Sequence, residues 1–178
     1  CVLGVSQGGM IAQYLAIERP DLVQRLVLAV TLCQNNATVS DAIETWVHLT
    51  EQNAFKALTT DMAERMYSPK YLNMYKPFLP LLTLVQKPRD AKRFITLAKS
   101  CLTCDTSDLL DRITCPALVI GGAQDKVVGE ASAQQLADGI GCPLHLYPDL
   151  GHAAYEEAKD FNAKVEATST VKSGCKPA

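Results

Sequence analysis

Apolar positions along the chain follow two rhythms, and the places where the rhythm changes divide it into elements. Val2-Leu-Gly-Val5 is a short apolar run, and Met10, Ile11, Tyr14, Leu15 and Ile17 then recur at helical spacing. Pro20 breaks that helix, and Glu18 to Val23 reads as a turn with a short helical piece. Arg25-Leu-Val-Leu-Ala-Val-Thr31 is apolar without alternation, the mark of a strand covered on both faces, as in a parallel sheet with helices above and below. The chain therefore begins strand, helix, strand, a βαβ crossover.

From Gln34 to about Asp105 the helical rhythm takes over and no strand is evident. Thr38-Val-Ser-Asp41 resembles a capping box ahead of Ile43, Trp46, Val47 and Leu49, and Asn53 is placed to cap the next helix, with Phe55, Leu58, Met62 and Met66. Pro77, Pro80 and Pro88 punctuate the stretch after that helix, and a further apolar face comes at Phe94, Ile95, Leu97, Ala98 and Leu102. An insertion at the carboxyl edge of a strand is where binding surfaces are built. The α/β rhythm resumes at Ile113 to Gly122, continues through a helix over Glu130–Ile140 and a strand over Pro143–Pro148, and ends in a helix that begins at Ala153. Lys164 to Ala178 lacks an apolar face, so the tail reads as disordered from about Thr168. This divides the chain into 1–33, elbow, helix and strand; 34–105, a helical lid; 106–167, the remaining core; and 168–178, the tail.

Composition narrows the partners. The 178 residues are 48% hydrophobic with a net charge of -2, enough for one domain burying roughly 70% of its unfolded surface. No basic stripe points to nucleic acid or an anionic membrane, and no apolar run approaches the roughly 20 residues that span a bilayer. No signal peptide is visible, although the chain begins at Cys1, already inside a strand. Seven irregularly spaced cysteines suit free thiols in a reducing cytoplasm, and Cys101-Leu-Thr-Cys104 has neither a thioredoxin-like strand before it nor a second pair to complete a zinc site. The expected partner is a small-molecule substrate, with no cofactor and no metal.

The candidate chemistry lies where strands end. Gly4-x-Ser6-x-Gly8 between a strand and a helix is the pattern of a nucleophile elbow, in which the serine sits on a strained turn and its hydroxyl projects above the sheet edge. Gly4 and Gly8 are expected where a Cβ would collide with a neighbouring element, with Gly9 giving further clearance. Asp125 follows the strand that ends at Gly122, either lining the ligand edge of the sheet or merely capping the next helix. His152 follows a glycine at the end of the last strand and suits a cleft, whereas His145 lies within that strand and His48 reads as a surface or packing residue. Serine, then aspartate, then histidine, each after a strand, is the chain order of one known class of hydrolase triad.

With Val2-Leu-Gly-Val-Ser-Gln-Gly-Gly-Met-Ile-Ala-Gln13, Leu26-Val-Leu-Ala-Val-Thr31, Cys115-Pro-Ala-Leu-Val-Ile-Gly-Gly-Ala-Gln-Asp125 and Leu150-Gly-His152, the chain resembles the C-terminal two thirds of a small, lidded α/β-hydrolase, the type that includes enol-lactone hydrolases, C–C bond hydrolases and carboxylesterases. The resemblance implies a mostly parallel sheet flanked by helices, with Ser6 as nucleophile, Asp125 as acid, His152 as base and the Gln7 N–H as one oxyanion donor. It also implies a second oxyanion donor from a loop after the third strand, and about four strands before the elbow. Neither is in this sequence, so the chain reads as part of a longer product. The expected activity is hydrolysis of a small ester or lactone through an acyl-enzyme. C–C bond cleavage or cofactor-free haloperoxidase chemistry on the same triad is the enzymatic alternative, and a non-catalytic homologue or inactive fragment the other.

Overall fold

The computed structural model describes residues 1–78, 81 and 88–170. Four strands, β1 (Val2–Val5), β2 (Leu26–Ala29), β3 (Ala117–Gly122) and β4 (Leu144–Tyr147), form one parallel sheet in the order β1-β2-β3-β4. Gly4 pairs with Leu28, Leu28 with Val119 and Ile120 with His145. All carboxyl ends therefore lie at one edge.

The unbroken apolarity of β2 has the cause inferred from it. Leu26, Val27, Leu28 and Ala29 are completely buried, and they alternate between two cores. Leu26 and Leu28 join Ala117 and Val119 beneath α1 (Gln7–Glu18) and α6 (Glu130–Ile140), with Ala16, Ile17, Leu136 and Ile140 from the helices. Val27 and Ala29 join Ile120 on the opposite face, covered by Ala154 of the short α7 (Ala154–Glu157) and Phe161 of α8 (Phe161–Thr170). Burying a Val or Leu side chain contributes about 1.5–3 kcal/mol, so the two cores on β2 hold the sandwich together.

Between β2 and β3 the described residues form α2 (Ala37–Glu51), α3 (Phe55–Met66), α4 (Pro69–Tyr75) and α5 (Ala91–Cys101), with 3₁₀ turns at Lys76–Phe78 and Ser107–Arg112. These helices build a third core of Ile43, Trp46, Leu58 and Ala98 over the carboxyl edge, joined by Met10 from α1 and by Val127 and Val128 from beyond β3.

Several local expectations are corrected. The residues between Arg19 and Val23 form a turn, with the Leu22 N–H donating to the Arg19 carbonyl at 3.0 Å, and no helix. The cap of α2 is Asn36, whose side chain accepts from the Val39 N–H at 3.0 Å; Thr38 lies inside the helix. Asn53 takes the left-handed conformation (φ 54°) that asparagine tolerates, and α3 starts after Ala54 without a side-chain cap. The final helix is broken in two, and α8 continues to Thr170, past the point where composition places its end. Pro80, Cys175 and the tail from residue 171 lie outside the described residues.

Candidate active site

Ser6 stands between β1 and α1 with φ 51° and ψ −122°, a costly conformation for a residue with a side chain. Its backbone is fixed on both sides: the N–H donates to the Ala29 carbonyl at 2.9 Å, and the carbonyl accepts from Gly9 N–H at 2.8 Å. The hydroxyl makes no helix cap and is left to point at the sheet edge. The glycine reading is half right. A Cβ on Gly4 would lie 2.6 Å from the Gly9 Cα, but Gly8 is exposed and a Cβ there would meet nothing within 4 Å among the described residues. The second crowded position is Gly9, where a Cβ would come within 2.6 Å of the Thr31 side chain. The motif spacing concealed this, because the helix turns its next residue, not Gly8, toward Thr31 just past the end of β2.

Asp125 lies at the sheet edge and does not cap the next helix, whose N-cap is Gly129 without a side-chain bond. Oδ1 accepts from the Val127 and Val128 N–H groups at 2.8 and 2.9 Å, fixing the loop, while Oδ2 lies 2.9 Å from Nδ1 of His152. Both residues are buried. Nε2 of His152 is 2.9 Å from Oγ of Ser6. A carboxylate only accepts, so it holds the proton on Nδ1 and leaves Nε2 as the acceptor for the serine O–H. A carboxylate, an imidazole and a serine hydroxyl in one hydrogen-bonded line can pass a proton as the hydroxyl attacks a carbonyl carbon. His48 is exposed on α2, and His145 packs edge-on against Tyr147 with ring centres 4.5 Å apart; neither reaches this line.

Gln7 is the first residue of α1, where a backbone N–H has no acceptor within the helix. Its side chain has a part that the sequence did not reveal: Nε2 donates to the Leu97 carbonyl at 2.7 Å and to Ser100 Oγ at 3.0 Å, tying the elbow to α5. Two further supports were equally hidden. The loop carrying His152 is held to the insertion by the Ala153 N–H donating to the Met66 carbonyl at 2.8 Å, and the buried Glu157 carboxylate accepts from both the N–H and the O–H of Ser68. Beside them Tyr67 donates to Glu156 at 2.7 Å, and burial together with that bond raises the phenol above its ordinary range. Gln13, fully buried, donates to the Gly9 and Leu32 carbonyls at 3.2 and 3.0 Å and accepts from Thr106 at 2.6 Å. Nothing in the spacing of Ser68 and Glu157 marks them as partners. A glutamine at an inward position of α1 was a legible sign of a buried polar knot.

Ser6 and Gln7 open onto a cavity of about 240 Å³ whose other walls include Ile43, Trp46, Met62 and Phe94 from the inserted helices. Cys101 also lines it, its thiol pushed up by burial. Among the described residues no group of three or more His, Cys, Asp or Glu side chains could hold a metal ion, and no helix is long and apolar enough to cross a membrane.

Residues 1–159 match the family model Hydrolase_4, described as serine aminopeptidase, S33. The chain belongs to this family of α/β-hydrolases. This α/β-hydrolase is 26% identical over 171 residues to a 3-oxoadipate enol-lactonase 2 of Acinetobacter baylyi, covering 92% of this chain and 61% of that protein. It is 27% identical over 175 residues to a pimeloyl-[acyl-carrier protein] methyl ester esterase of Chromobacterium violaceum, covering 90% of this chain and 66% of that protein. Among solved structures it is similar to MGS-M2, an alpha/beta hydrolase enzyme from a Medee basin deep-sea metagenome library (TM-score 0.86, 25% identity, 94% of this chain and 63% of that one). The enol-lactonase from Burkholderia xenovorans shares the fold (TM-score 0.82, 22% identity, 94% and 64%). The α/β-hydrolase chain thus spans a little over three fifths of the length of these relatives.

Proposed function

We propose that the protein is a serine hydrolase of small carboxylic esters or lactones that works through an acyl-enzyme. The observation that carries this is the unbroken line from Asp125 through His152 to Ser6, with both links at 2.9 Å. In this reading Ser6 Oγ attacks the acyl carbon as Nε2 of His152 takes the hydroxyl proton. The tetrahedral oxyanion is met by the N–H of Gln7 at the positive end of α1. Collapse of the intermediate breaks the bond to the leaving oxygen, which receives the proton from His152. Water, deprotonated by the same imidazole, then attacks the acyl carbon and releases the acid and the free serine. Asp125 keeps the tautomer and stabilises the imidazolium throughout.

The test is labelling of the intact protein with a fluorophosphonate, followed by peptide mapping. The adduct is expected on Ser6 and absent in Ser6→Ala, with turnover of p-nitrophenyl acetate lost in His152→Ala. Labelling that survives in Ser6→Ala refutes the reading.

A further inference from the structure

The cavity in front of Ser6 differs from a generic cleft in what its walls lack. Among the described residues that line it, none carries a charge: the surfaces are Ile43 and Trp46 of α2, Met62 of α3, Phe94 of α5, and Met10 and Val128 from the core. Met62 and Phe94 also line a second cavity of about 470 Å³, where the charge among the described lining residues is the carboxylate of Glu156. An acyl group that ends in a carboxylate would therefore be stripped of water against apolar walls, or face a like charge, with no cation among the described lining residues to compensate. Burying an uncompensated ion costs several kcal/mol.

Trp46 is the most firmly held of these walls. It is buried, and its indole N–H donates to Oδ2 of Asp61 at 2.8 Å, a carboxylate that does not line the cavity. Asp61 is in turn gripped by Nε of Arg65 at 2.8 Å, and Arg65 reaches Asp41 at 2.7 Å. The ring's polar edge is thus satisfied away from the cavity, so its position is fixed while its apolar surface faces the space. Because Ser6 and Gln7 line the same space, it lies within reach of the groups attached to the carbonyl that Ser6 attacks.

We infer that the site selects uncharged, apolar acyl groups and that Trp46 sets the longest chain accepted; this rests on Ser6 being the nucleophile. The experiment uses the intact protein and p-nitrophenyl esters of straight-chain acids, beside esters of equal acyl length ending in a carboxylate. Along the neutral series kcat/KM is expected to rise about fourfold per methylene, as about 0.8 kcal/mol per buried CH₂ gives, until the cavity is full. The carboxylate-ended esters are expected to be at least about a hundredfold poorer. Trp46→Ala should move the break to longer chains; should that variant fail to fold, Trp46→Phe should move it by less in the same direction. A folded variant with an unmoved break overturns the role of Trp46. Equal turnover of neutral and carboxylate-ended esters, or gains along an alcohol-chain series in place of the acyl series, overturns the selectivity. If a small fluorophosphonate labels Ser6 while these profiles are flat, this inference alone fails; if Ser6 is not labelled at all, both readings fail.

Discussion

Gly122→Ala isolates what positions the imidazole. Gly122 ends β3, and it is not among the glycines with positive φ, so alanine can adopt its backbone without strain. The obstacle is space. A Cβ there would lie 2.3 Å from the Gly151 carbonyl oxygen and 2.5 Å from that of Leu150, where ordinary contact begins at 3.4 Å. Both obstructing atoms are backbone, in the two residues immediately before His152, and a flexible side chain cannot swing aside to make room. The loop is also anchored, because its Leu150 carbonyl accepts from Gln124 N–H at 2.9 Å and Ala153, just after the histidine, is tied to Met66. To admit the methyl group the loop must retreat by about 1 Å, a displacement that costs on the order of 10²-fold in rate when it separates reacting groups.

The assay is kcat on a p-nitrophenyl ester, normalised by active-site titration, with thermal unfolding measured in parallel. Gly122→Ala is expected to lose about 10²-fold in kcat and about 1–3 kcal/mol of stability, which for a chain of this size is about 2–12 °C in Tm. Gly8→Ala is the control, being helical and open on all sides among the described residues; it should keep its stability or gain up to about 1 kcal/mol. Unchanged kcat and Tm in Gly122→Ala would refute the claim that backbone contact between β3 and the histidine loop sets the Ser6–His152 distance.

Other parts of the fold lead to three more expected outcomes. Gln13→Leu strands the Leu32 carbonyl in a buried site and leaves the Thr106 hydroxyl only its longer bond to the Cys33 carbonyl at 3.3 Å, and urea denaturation should show a loss of about 1–3 kcal/mol. Glu157→Ala removes the acceptor for both Ser68 donors; kcat should fall and KM rise together, because the histidine loop and the insertion both loosen, while Glu157→Gln, which can still accept, should recover part of each. Burial pushes the Cys104 and Cys142 thiols up to about 11 from 9.0. Between those values the folded chain keeps protons that the unfolded chain has released, so stability should decline as pH rises from about 9 to 11 and be insensitive to these groups below that window. Denaturation midpoints at pH 8, 9.5 and 11 check it, and a midpoint that climbs through the window would contradict it.

The sequence carried the sheet and the three groups of the hydrogen-bonded line because both depend on local signals. Leu26 to Ala29 is apolar at every position since the two faces of β2 enter two different cores, and that doubling is visible as unbroken hydrophobicity. Ser6, Asp125 and His152 each come after a strand, so their convergence is a consequence of four parallel strands ending at one edge. The errors arose where a residue's neighbour comes from elsewhere in the chain. Gly8 and Gly9 are indistinguishable as letters, and only the placement of Thr31 beneath the helix makes Gly9 the crowded one. Asn36 outcompeted Thr38 as the cap of α2 because its amide can also donate to the Val128 carbonyl at 2.9 Å and Ser132 Oγ at 3.2 Å, contacts with no trace in the local pattern.

The contacts that escaped the sequence share a location, and this bears on how the site works. The loop that carries His152 is approached from the sheet by Gly122 and from the inserted helices by Met66, and α7 just beyond it is tied through Glu157 to Ser68 at the start of α4. Ser6 is likewise bound to the insertion, through Gln7 and α5. Ser6 and His152 are therefore each clamped between the core and the helices that also wall the cavity in front of Ser6. A shift of α3 large enough to reshape the cavity at Met62 is transmitted to the Met66 carbonyl four residues further along the same helix, and from there to the histidine loop. Substitutions that enlarge the cavity by moving whole helices should consequently lower kcat as well as alter selectivity. A side-chain truncation such as Trp46→Ala, whose backbone stays fixed by the rest of α2, should change selectivity alone. Loss of kcat on every substrate in Trp46→Ala, with the fold intact, would show that the wall and the clamp are one structure and not two.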